Sequence, residues 1–291
     1  MLGIYKVLIF FRVSLMILLF FVLSCTRYWW EEYREVQGVN WTPENSILFV
    51  EAVIRTRVYR TWDGGEGVDE YITKVYLWEV DTTGVNYRNL GLIYESYEGY
   101  SGFSYLSCGG EWVVLSGHPG GDMYAIRRDL SERRYLGKGV WADISPDGKK
   151  FVYVKPNGGG LWIKKIDGTG EHQIVNDPRA IEPAWSRLGH FIAFHIFRDT
   201  GLIIIDTSGV IIKEYKLDVS AISWGGTEDS LAFVDIREDR RVKIINTSTD
   251  SIISTNLYSR AGIHWSPNNK FFIIGRRLFR RDGTKLFNIK R

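Results

Sequence analysis

The chain has 291 residues, enough for one large domain or two ordinary ones, and 45% of them are hydrophobic, which is enough for a packed core. Aromatic residues make up 14% and there are 30 glycines, so the composition favours an all-β fold over a helical one. The net charge is +3, and loss of Lys6 and Arg12 with an N-terminal segment would leave 35 basic against 34 acidic residues. This balance excludes an electrostatic case for nucleic acid as a partner.

Residues 1–24 are predicted to be a secretory signal peptide. Two basic residues come first, followed by an uncharged and mostly apolar run at residues 13–23. This order is typical of secretory signals. An uncleaved membrane anchor is the alternative, but the whole apolar run has only 17 residues and contains Arg12, which is short for a span of about 20 residues.

Cys25 is the predicted site of lipid attachment. The segment VLSC, residues 22–25, resembles a bacterial lipobox, which implies diacylglycerol on the Cys25 sulfur and cleavage before it. Acyl chains anchor proteins because each buried methylene contributes about 0.8 kcal/mol. A plain signal peptide with an incidental Cys25 is a second alternative. The other cysteine is Cys108, so a lipidated Cys25 leaves no intrachain disulfide.

A unit of about 40 residues repeats six times after this segment. Each copy has an aromatic or aliphatic strand end, a polar turn and an apolar strand, and successive copies are 65, 38, 41, 39 and 41 residues apart. These markers start at Trp41, Leu106, Ile144, Trp185, Trp224 and Trp265. A second series of strands stops at an Asp or Asn that can cap the next turn. Its members are Asp81, Asp129, Asp167, Asp206, Asn246 and Asp282.

Four strands in each 40-residue unit are typical of a β-propeller blade. The sequence therefore predicts an all-β, six-bladed propeller over residues 39–291, with four antiparallel strands per blade. The long first step is assigned to an inserted loop at residues 54–71, and the four marker tryptophans are expected to fill the spaces between blades. Blade one either abuts blade six or receives a closing strand from residues 31–36.

The marker resembles the repeat of TolB-like six-bladed propellers. It is complete in WSPNNK, residues 265–270, and nearly complete in ISPDGK, residues 144–149, whereas the markers at Leu106 and Trp224 depart from it. The resemblance covers residues 39–291 and implies the fold and an association with envelope proteins. Similar repeats occur in the propeller halves of prolyl-oligopeptidase-type enzymes, but the chain has neither a G-x-S-x-G elbow nor the roughly 200 residues of a hydrolase domain.

No set of residues predicts catalysis or metal binding. Ser116 and His118 lie close together in LSGHPGG, but no Asp orienter can be assigned to them. The five histidines show no H-E-x-x-H spacing, and the acidic loop at residues 63–70 lacks the order of a calcium loop. We therefore expect no catalytic residues, no metal and no cofactor.

A loop rim is the predicted binding surface. Loops that enter the innermost strands and loops that join second and third strands lie on one face of a propeller, and here they carry Tyr, Trp and Arg, which dominate binding hot spots. The candidate partner-binding residues are Tyr94, Tyr97, Tyr100, Trp62, Trp141, Arg198, Arg237, Arg240 and Arg276.

The sequence thus predicts a non-catalytic lipoprotein of the bacterial cell envelope, on the outer-membrane or periplasmic side or at the cell surface. Residues 25–38 would be a lipid-anchored tether that keeps the propeller close to the membrane, and the rim would hold a protein or envelope partner. An enzyme or a binder of a small glycan or peptide in the central funnel is the alternative. A structural component without a specific ligand is the third.

Overall fold

The computed structural model describes residues 27–61, 63–97, 102–117, 121–156 and 159–289. These residues form strands and turns without a helix, and the strands make six four-stranded antiparallel sheets. In each sheet the four strands follow one another in chain order, as a meander. The predicted all-β propeller of six four-stranded blades is therefore confirmed.

The strand bounds follow the repeat. Blade one contains β1 Arg27–Trp41, β2 Ile47–Arg60, β3 Glu66–Val80 and β4 Tyr87–Ser96. Blade two contains β5 Tyr105–Gly109, β6 Trp112–Ser116, β7 Asp122–Arg127 and β8 Arg133–Lys138. Blade three contains β9 Val140–Ile144, β10 Lys150–Val154, β11 Leu161–Lys165 and β12 His172–Val175.

Blades four to six continue the same order. Blade four contains β13 Ala180–Trp185, β14 Phe191–Ile196, β15 Leu202–Asp206 and β16 Ile211–Tyr215. Blade five contains β17 Val219–Trp224, β18 Ser230–Asp235, β19 Arg241–Asn246 and β20 Ile252–Tyr258. Blade six contains β21 Ile263–Trp265, β22 Phe271–Ile274, β23 Arg277–Arg280 and β24 Lys285–Asn288.

The hydrophobic core is divided among the spaces between blades. Six clusters of buried apolar side chains occur, and each combines residues of two neighbouring blades. The innermost strands β1, β5, β9, β13, β17 and β21 contact one another in ring order. A blade is therefore stabilised by its neighbours on both faces rather than by a core of its own.

The marker tryptophans pack between blades, as predicted. Trp41, Trp185, Trp224 and Trp265 are at most 6% exposed, and each belongs to the cluster shared with the preceding blade. Trp41 stacks on Phe271 of blade six with ring centroids 6.2 Å apart. Burying such large rings contributes a substantial share of the energy of each interface.

The serine of the marker fixes the turn that follows it. Ser266 Oγ accepts a hydrogen bond from the Phe271 amide at 2.9 Å and donates one to Asn268 Oδ1 at 2.8 Å. Ser145 accepts in the same way from the Lys150 amide at 3.0 Å. The serine therefore stabilises the closed turn in each hairpin.

The second series of Asp and Asn residues caps turns on the outer strands, as predicted. Asp81 Oδ1 accepts hydrogen bonds from the amides of Thr83 and Gly84, both at 3.0 Å, and the Thr83 hydroxyl donates to it as well. These hydrogen bonds lower the pKa of Asp81 to about 2. The other five members each accept a bond from the amide two residues later.

Blades one and six abut, which decides between the two expected modes of closure. Residues 31–36 do not join blade six, because they lie within β1 and pair with β2 of the same blade. The Trp41 indole Nε1 donates to the His264 carbonyl at 3.0 Å, and the Asn268 amide donates to Asn45 Oδ1 at 3.0 Å. Side-chain contacts therefore close the ring without a shared strand.

The expected loop at residues 54–71 is instead part of a β-sheet. β2 and β3 continue past the blade, and residues 27–34 of β1 pair alongside them. Residues 27–38, which the sequence assigns to a tether, are thus the first part of β1, whereas Cys25 lies outside the described residues.

We call residues 27–34, 54–60 and 66–72 the arm. It has three strands because β4 ends where Ser96 pairs with Thr73.

Substitution of Trp41 by Ala should weaken closure of the ring. The variant loses a fully buried ring and its hydrogen bond to blade six, so we expect the free energy of unfolding to fall by about 3–5 kcal/mol. Urea unfolding followed by tryptophan fluorescence measures the change. The matched control, Trp41→Phe, keeps most of the packing and should lose less. A Trp41→Ala variant as stable as the parent would contradict closure by this contact.

Candidate functional site: the central channel and its mouth

A central channel of about 640 Å³ runs between the six innermost strands. These strands all run in the same direction along it. The first residues of β5, β9, β13, β17 and β21 lie at one end together with Glu35 of β1, and the last residues of all six strands lie at the other end. We call the first of these ends the mouth and the opposite end the floor. The mouth lies on the face that the sequence predicts as the binding rim.

A ring of hydrogen bonds crosses every blade interface at one level of the channel. It is formed by one residue next to the start of the marker in each blade, and we call these six residues the belt: Asn40, Ser107, Asp143, Ala184, Ser223 and His264. The Asn40 amide Nδ2 donates to the Leu106 carbonyl at 3.0 Å. The Ala184 and His264 carbonyls accept from the indoles of Trp224 and Trp41, both at 3.0 Å.

The other belt residues accept backbone amides of the next blade through their side chains. Ser107 Oγ accepts from the Ile144 amide at 3.0 Å, and Ser223 Oγ accepts from the Trp265 amide at 2.9 Å. Asp143 Oδ2 accepts from the Trp185 amide at 2.6 Å, and its other oxygen accepts from the Ser107 hydroxyl. Both Asp143 oxygens are therefore used in holding blades two, three and four together.

Arg187 crosses the channel at the floor. It belongs to the turn after β13 in blade four, and its Nη2 donates to the Trp265 carbonyl of blade six at 3.0 Å. Arg187 lines the channel together with Asp143, His264 and Cys108. The guanidinium places a positive charge at the floor of the channel.

Enclosure by protein shifts the ionisation of these deep groups. Desolvation raises the pKa of Asp143 against the opposing effect of its hydrogen bonds. Desolvation, with a smaller effect from the Arg187 charge, lowers the pKa of His264 to about 4, so this imidazole is neutral at pH 7. Burial raises the pKa of the free Cys108 thiol to about 12, which makes it a poor nucleophile.

The deep polar groups do not form a catalytic set. Asp143 and His264 belong to blades three and six, which stand opposite each other in a ring of six, and Asp143 is already engaged by its neighbours. Within the described residues, no three His, Cys, Asp or Glu side chains are grouped so that they could hold a metal ion.

The mouth is lined by three arginines and an aromatic pair. Arg240, Arg260 and Arg276 line it from the loops of blades five and six. Tyr105 and Trp141 face each other across blades two and three, with ring centroids 6.2 Å apart and the indole donating to the Tyr105 hydroxyl at 2.5 Å. Arginine and aromatic side chains therefore meet at one opening.

The charges at the mouth are unevenly matched. Arg276 lies 3.9 Å from the Glu35 carboxylate. Glu182 accepts hydrogen bonds from the Ala221 amide at 3.2 Å and lies 3.3 Å from the His195 ring. Neither Arg240 nor Arg260 has a carboxylate within 4 Å among the residues that the structure describes. The opening is therefore a place where an anionic group would find unpaired guanidinium groups.

Three neighbouring blades carry the same bulge at the mouth. Trp141, Glu182 and Ala221, each three residues before the marker, have positive φ angles of 51°, 50° and 54°. The strand pairing shifts register beside each of them. Non-glycine residues rarely adopt this backbone, and bulges of this kind re-aim side chains next to functional sites. The bulge places Trp141 and Glu182 on the channel lining.

The predicted rim residues fall into three groups. Trp141, Arg240 and Arg276 line the mouth. Arg198 and Arg237 are exposed on the β14–β15 and β18–β19 turns of the same face, outside the channel lining.

The remaining candidates lie elsewhere. Tyr94 packs against the core between blades one and two, edge-on to Phe103, rather than standing free on the rim. Tyr97 is 65% exposed and donates to Glu95. Trp62 and Tyr100 lie outside the described residues, as does the predicted lipid site Cys25.

Sequence reasoning missed Tyr105, Glu182 and Arg260. Arg260 lies in the loop that enters β21, so the rule that selected the other rim loops would also have selected it. Tyr105 and Glu182 lie inside innermost strands, and nothing in their local sequence indicates the bulge or the channel.

The fold and the channel place the chain in the class of six-bladed β-propellers. No protein-family model matches the sequence, and no curated protein matches it. Among solved structures it is similar to TolB from Acinetobacter baumannii, with a TM-score of 0.56 and 12% identity over 89% of this chain and 78% of that one.

Two other solved structures show similar likeness. Hydrazine synthase from Kuenenia stuttgartiensis has a TM-score of 0.54 and 12% identity, covering 85% of this chain and 77% of that one. A chain of a mitotic checkpoint complex has a TM-score of 0.53 and 11% identity, covering 88% and 91%. At this identity the likeness shows the fold alone. Among the described residues no helix has the length and apolar character needed to cross a membrane.

Replacement of His264 by Gln should flatten the pH dependence of stability. The ordinary His pKa of 6.5 applies to the unfolded chain, which therefore binds a proton that folded His264 excludes until about pH 4. Stability thus falls as pH falls through this window. The raised pKa of Asp143 has the opposite effect on stability as the pH falls, but Asp143 is present in both the parent and the His264→Gln variant.

Urea midpoints at pH 7 and pH 5 measure the effect. The decrease between them should be smaller in His264→Gln than in the parent. His172→Gln, on the exposed edge of β12, is the matched control and should follow the parent. An equal decrease in His264→Gln and the parent would contradict a neutral, enclosed His264.

Proposed function

We propose that the protein is a non-catalytic lipoprotein of the bacterial cell envelope that holds a protein or envelope partner at the channel mouth. One observation carries this proposal: Arg240 and Arg260, which have no carboxylate within 4 Å in the described part of the chain, stand beside Arg276 and the Tyr105–Trp141 pair at a single opening. Arginine, tyrosine and tryptophan are the side chains that most often dominate protein interfaces.

The chemistry of the mouth favours an acidic partner. A guanidinium binds a carboxylate or phosphate through two parallel hydrogen bonds, and these charge-assisted bonds are stronger than neutral ones. The Tyr105–Trp141 pair adds a fixed apolar surface, because the bulge and the indole hydrogen bond hold it in place. A surface ordered before binding loses less conformational entropy on association.

The same channel supports the second candidate function, binding of a small glycan or peptide. Its volume of about 640 Å³ lies within the range of small-ligand pockets. Catalysis has weaker support. Both oxygens of the deep Asp143 accept hydrogen bonds from neighbouring blades, and the raised pKa of Cys108 makes its thiol a poor nucleophile. The two candidate functions use the same opening and differ in the size of the bound molecule, a protein or envelope partner in the first and a small glycan or peptide in the second.

The envelope location is supported by the lipobox-like segment at residues 22–25 and by the likeness to TolB. The lipid anchor itself is a proposal from the sequence. Replacement of Cys25 by Ser should abolish labelling of the protein by a radioactive or clickable fatty acid in a bacterial host. Cys108→Ala is the matched control and should label like the parent, since Cys108 is buried. Continued labelling of Cys25→Ser would contradict the anchor.

Photocrosslinking tests the mouth. The full chain, expressed in an envelope, carries benzoylphenylalanine either at Trp141 in the mouth or at Leu188, which is 66% exposed on the opposite face. Adducts with a protein are expected from position 141 and not from position 188. Adducts only from position 188 would overturn the proposal, and a bound small molecule without protein adducts would favour the second candidate.

Charge reversal at the mouth should reduce the position-141 adduct. Arg240→Glu with Arg260→Glu should lower its yield by about tenfold or more, because hydrogen bonds to charged groups contribute about 1.5–3 kcal/mol. The control, Lys270→Glu, reverses an exposed charge in the turn after β21 on the opposite face. A yield that the paired reversal leaves unchanged would show that the arginines do not bind the partner.

A further inference from the structure

The arm rises from the same face as the mouth. β1 begins at the arm tip and reaches the mouth at Glu35, which lines the channel beside Arg276. Arg27 and Glu35 are eight positions apart in one continuous strand, so the tip lies up to about 27 Å from the mouth at the usual rise per residue.

Cross-strand contacts make the arm one rigid piece. β1 pairs with β2 as far as Arg27 opposite Arg60, and β2 pairs with β3 as far as Arg60 opposite Glu66. Arg57 binds both oxygens of Asp69, at 3.0 Å each, and lies 3.1 Å from Glu70. A single exposed ion pair contributes little to stability. Here one arginine of β2 binds two adjacent carboxylates of β3, so the network adds to the backbone pairing of these strands.

The tip carries a collar of aromatic residues on both faces of the sheet. Tyr28 is 58% exposed, Trp29 36% and Trp30 41%. Tyr28 lies opposite Tyr59 with ring centroids 6.4 Å apart, on one face, and Trp29 lies opposite Val58 on the other. We call Tyr28, Trp29, Trp30 and Tyr59 the collar. Among the described residues, Trp29 and Trp30 are the exposed tryptophans, whereas those outside the arm are buried or half-buried.

The preceding part of the chain joins the arm at this tip. Residue 26 comes directly before Arg27, and the sequence before it contains the apolar run and Cys25. Either form of N-terminal anchor, a lipid on Cys25 or an uncleaved span, therefore attaches at the collar. Trp and Tyr are enriched at the interface between membrane and water because their rings are apolar with one polar group.

We propose that the collar docks into the headgroup region of a lipid bilayer and that the arm holds the channel mouth facing that bilayer across a gap of up to about 27 Å. This inference rests on the N-terminal anchor of the proposed function but not on the identity of a partner. A partner that reaches the mouth must then fit between the propeller and the membrane, as an extramembrane segment of a membrane protein would.

Energy transfer to the membrane tests the orientation. The full chain is purified with its native anchor and reconstituted into phosphatidylcholine–phosphatidylglycerol vesicles that contain an acceptor lipid. A donor dye is attached to Arg198→Cys on the mouth face or to Leu188→Cys on the opposite face. These positions flank β14 of one blade and lie about 20 Å apart. Cys108 is buried with a raised pKa and should not react.

The donor at position 198 is expected to transfer more energy than the donor at position 188. Equal transfer from the two positions, or greater transfer from position 188, would overturn the proposed orientation. Fatty-acid labelling and flotation with vesicles are measured on the same samples, so a missing anchor is recognised separately from a wrong orientation.

Quenching by brominated lipids tests the collar itself. The fraction of tryptophan fluorescence quenched should fall in the Trp29→Ser/Trp30→Ser variant, and the difference in energy transfer between positions 198 and 188 should shrink. Tyr135→Ser removes a 56% exposed aromatic residue from β8 of the propeller body and is the matched control.

Two results would overturn docking of the collar. The first is unchanged quenching in the double variant. The second is crosslinking of the arm to a second copy of the chain, with no quenching in the parent, because the collar would then be covered by protein.

Discussion

The ring depends on hydrogen bonds that pass from each innermost strand to the next. A single blade has two apolar faces and cannot remain folded in water, and the six apolar clusters between blades supply the attraction that brings blades together. Apolar packing has little directionality, however. The belt sets the height at which neighbouring strands meet, because an amide of one blade must reach a particular oxygen of another. Correct register in turn puts Glu35 of β1 and the first residues of the other five innermost strands at one opening.

The mouth shows how a repeated scaffold becomes a particular surface. Blades three, four and five share a bulge at the same position, although the residues that occupy it are Trp, Glu and Ala. The same local backbone conformation therefore recurs in three blades, whereas the side chain at that position differs. The side chain at the opening can therefore change without any change in the belt residue two positions later. The uneven distribution of charge has a different origin, since the three arginines come from loops of blades five and six and not from the bulged strands.

The sequence was sufficient to predict the repeat, the strand count of each blade and the burial of the marker tryptophans, because turn and strand signals are local. It was not sufficient to predict the arm. A polar, arginine-rich stretch at residues 54–71 looks like a loop, and its pairing with residues 27–34 depends on a partner strand far from it in sequence. The half-burial of Tyr94 has a related cause: the residue lies near the end of β4, and its ring packs against Phe103 of blade two. Tyr105 and Glu182 became recognisable only when the channel was formed.

The floor residue Arg187 gives the channel a direction. Its guanidinium reaches from a turn of blade four to the Trp265 carbonyl of blade six, and so places a positive charge at the floor. A ligand that enters at the mouth would meet this charge at the far end of the channel. The charge therefore favours a ligand whose leading end carries a negatively charged group.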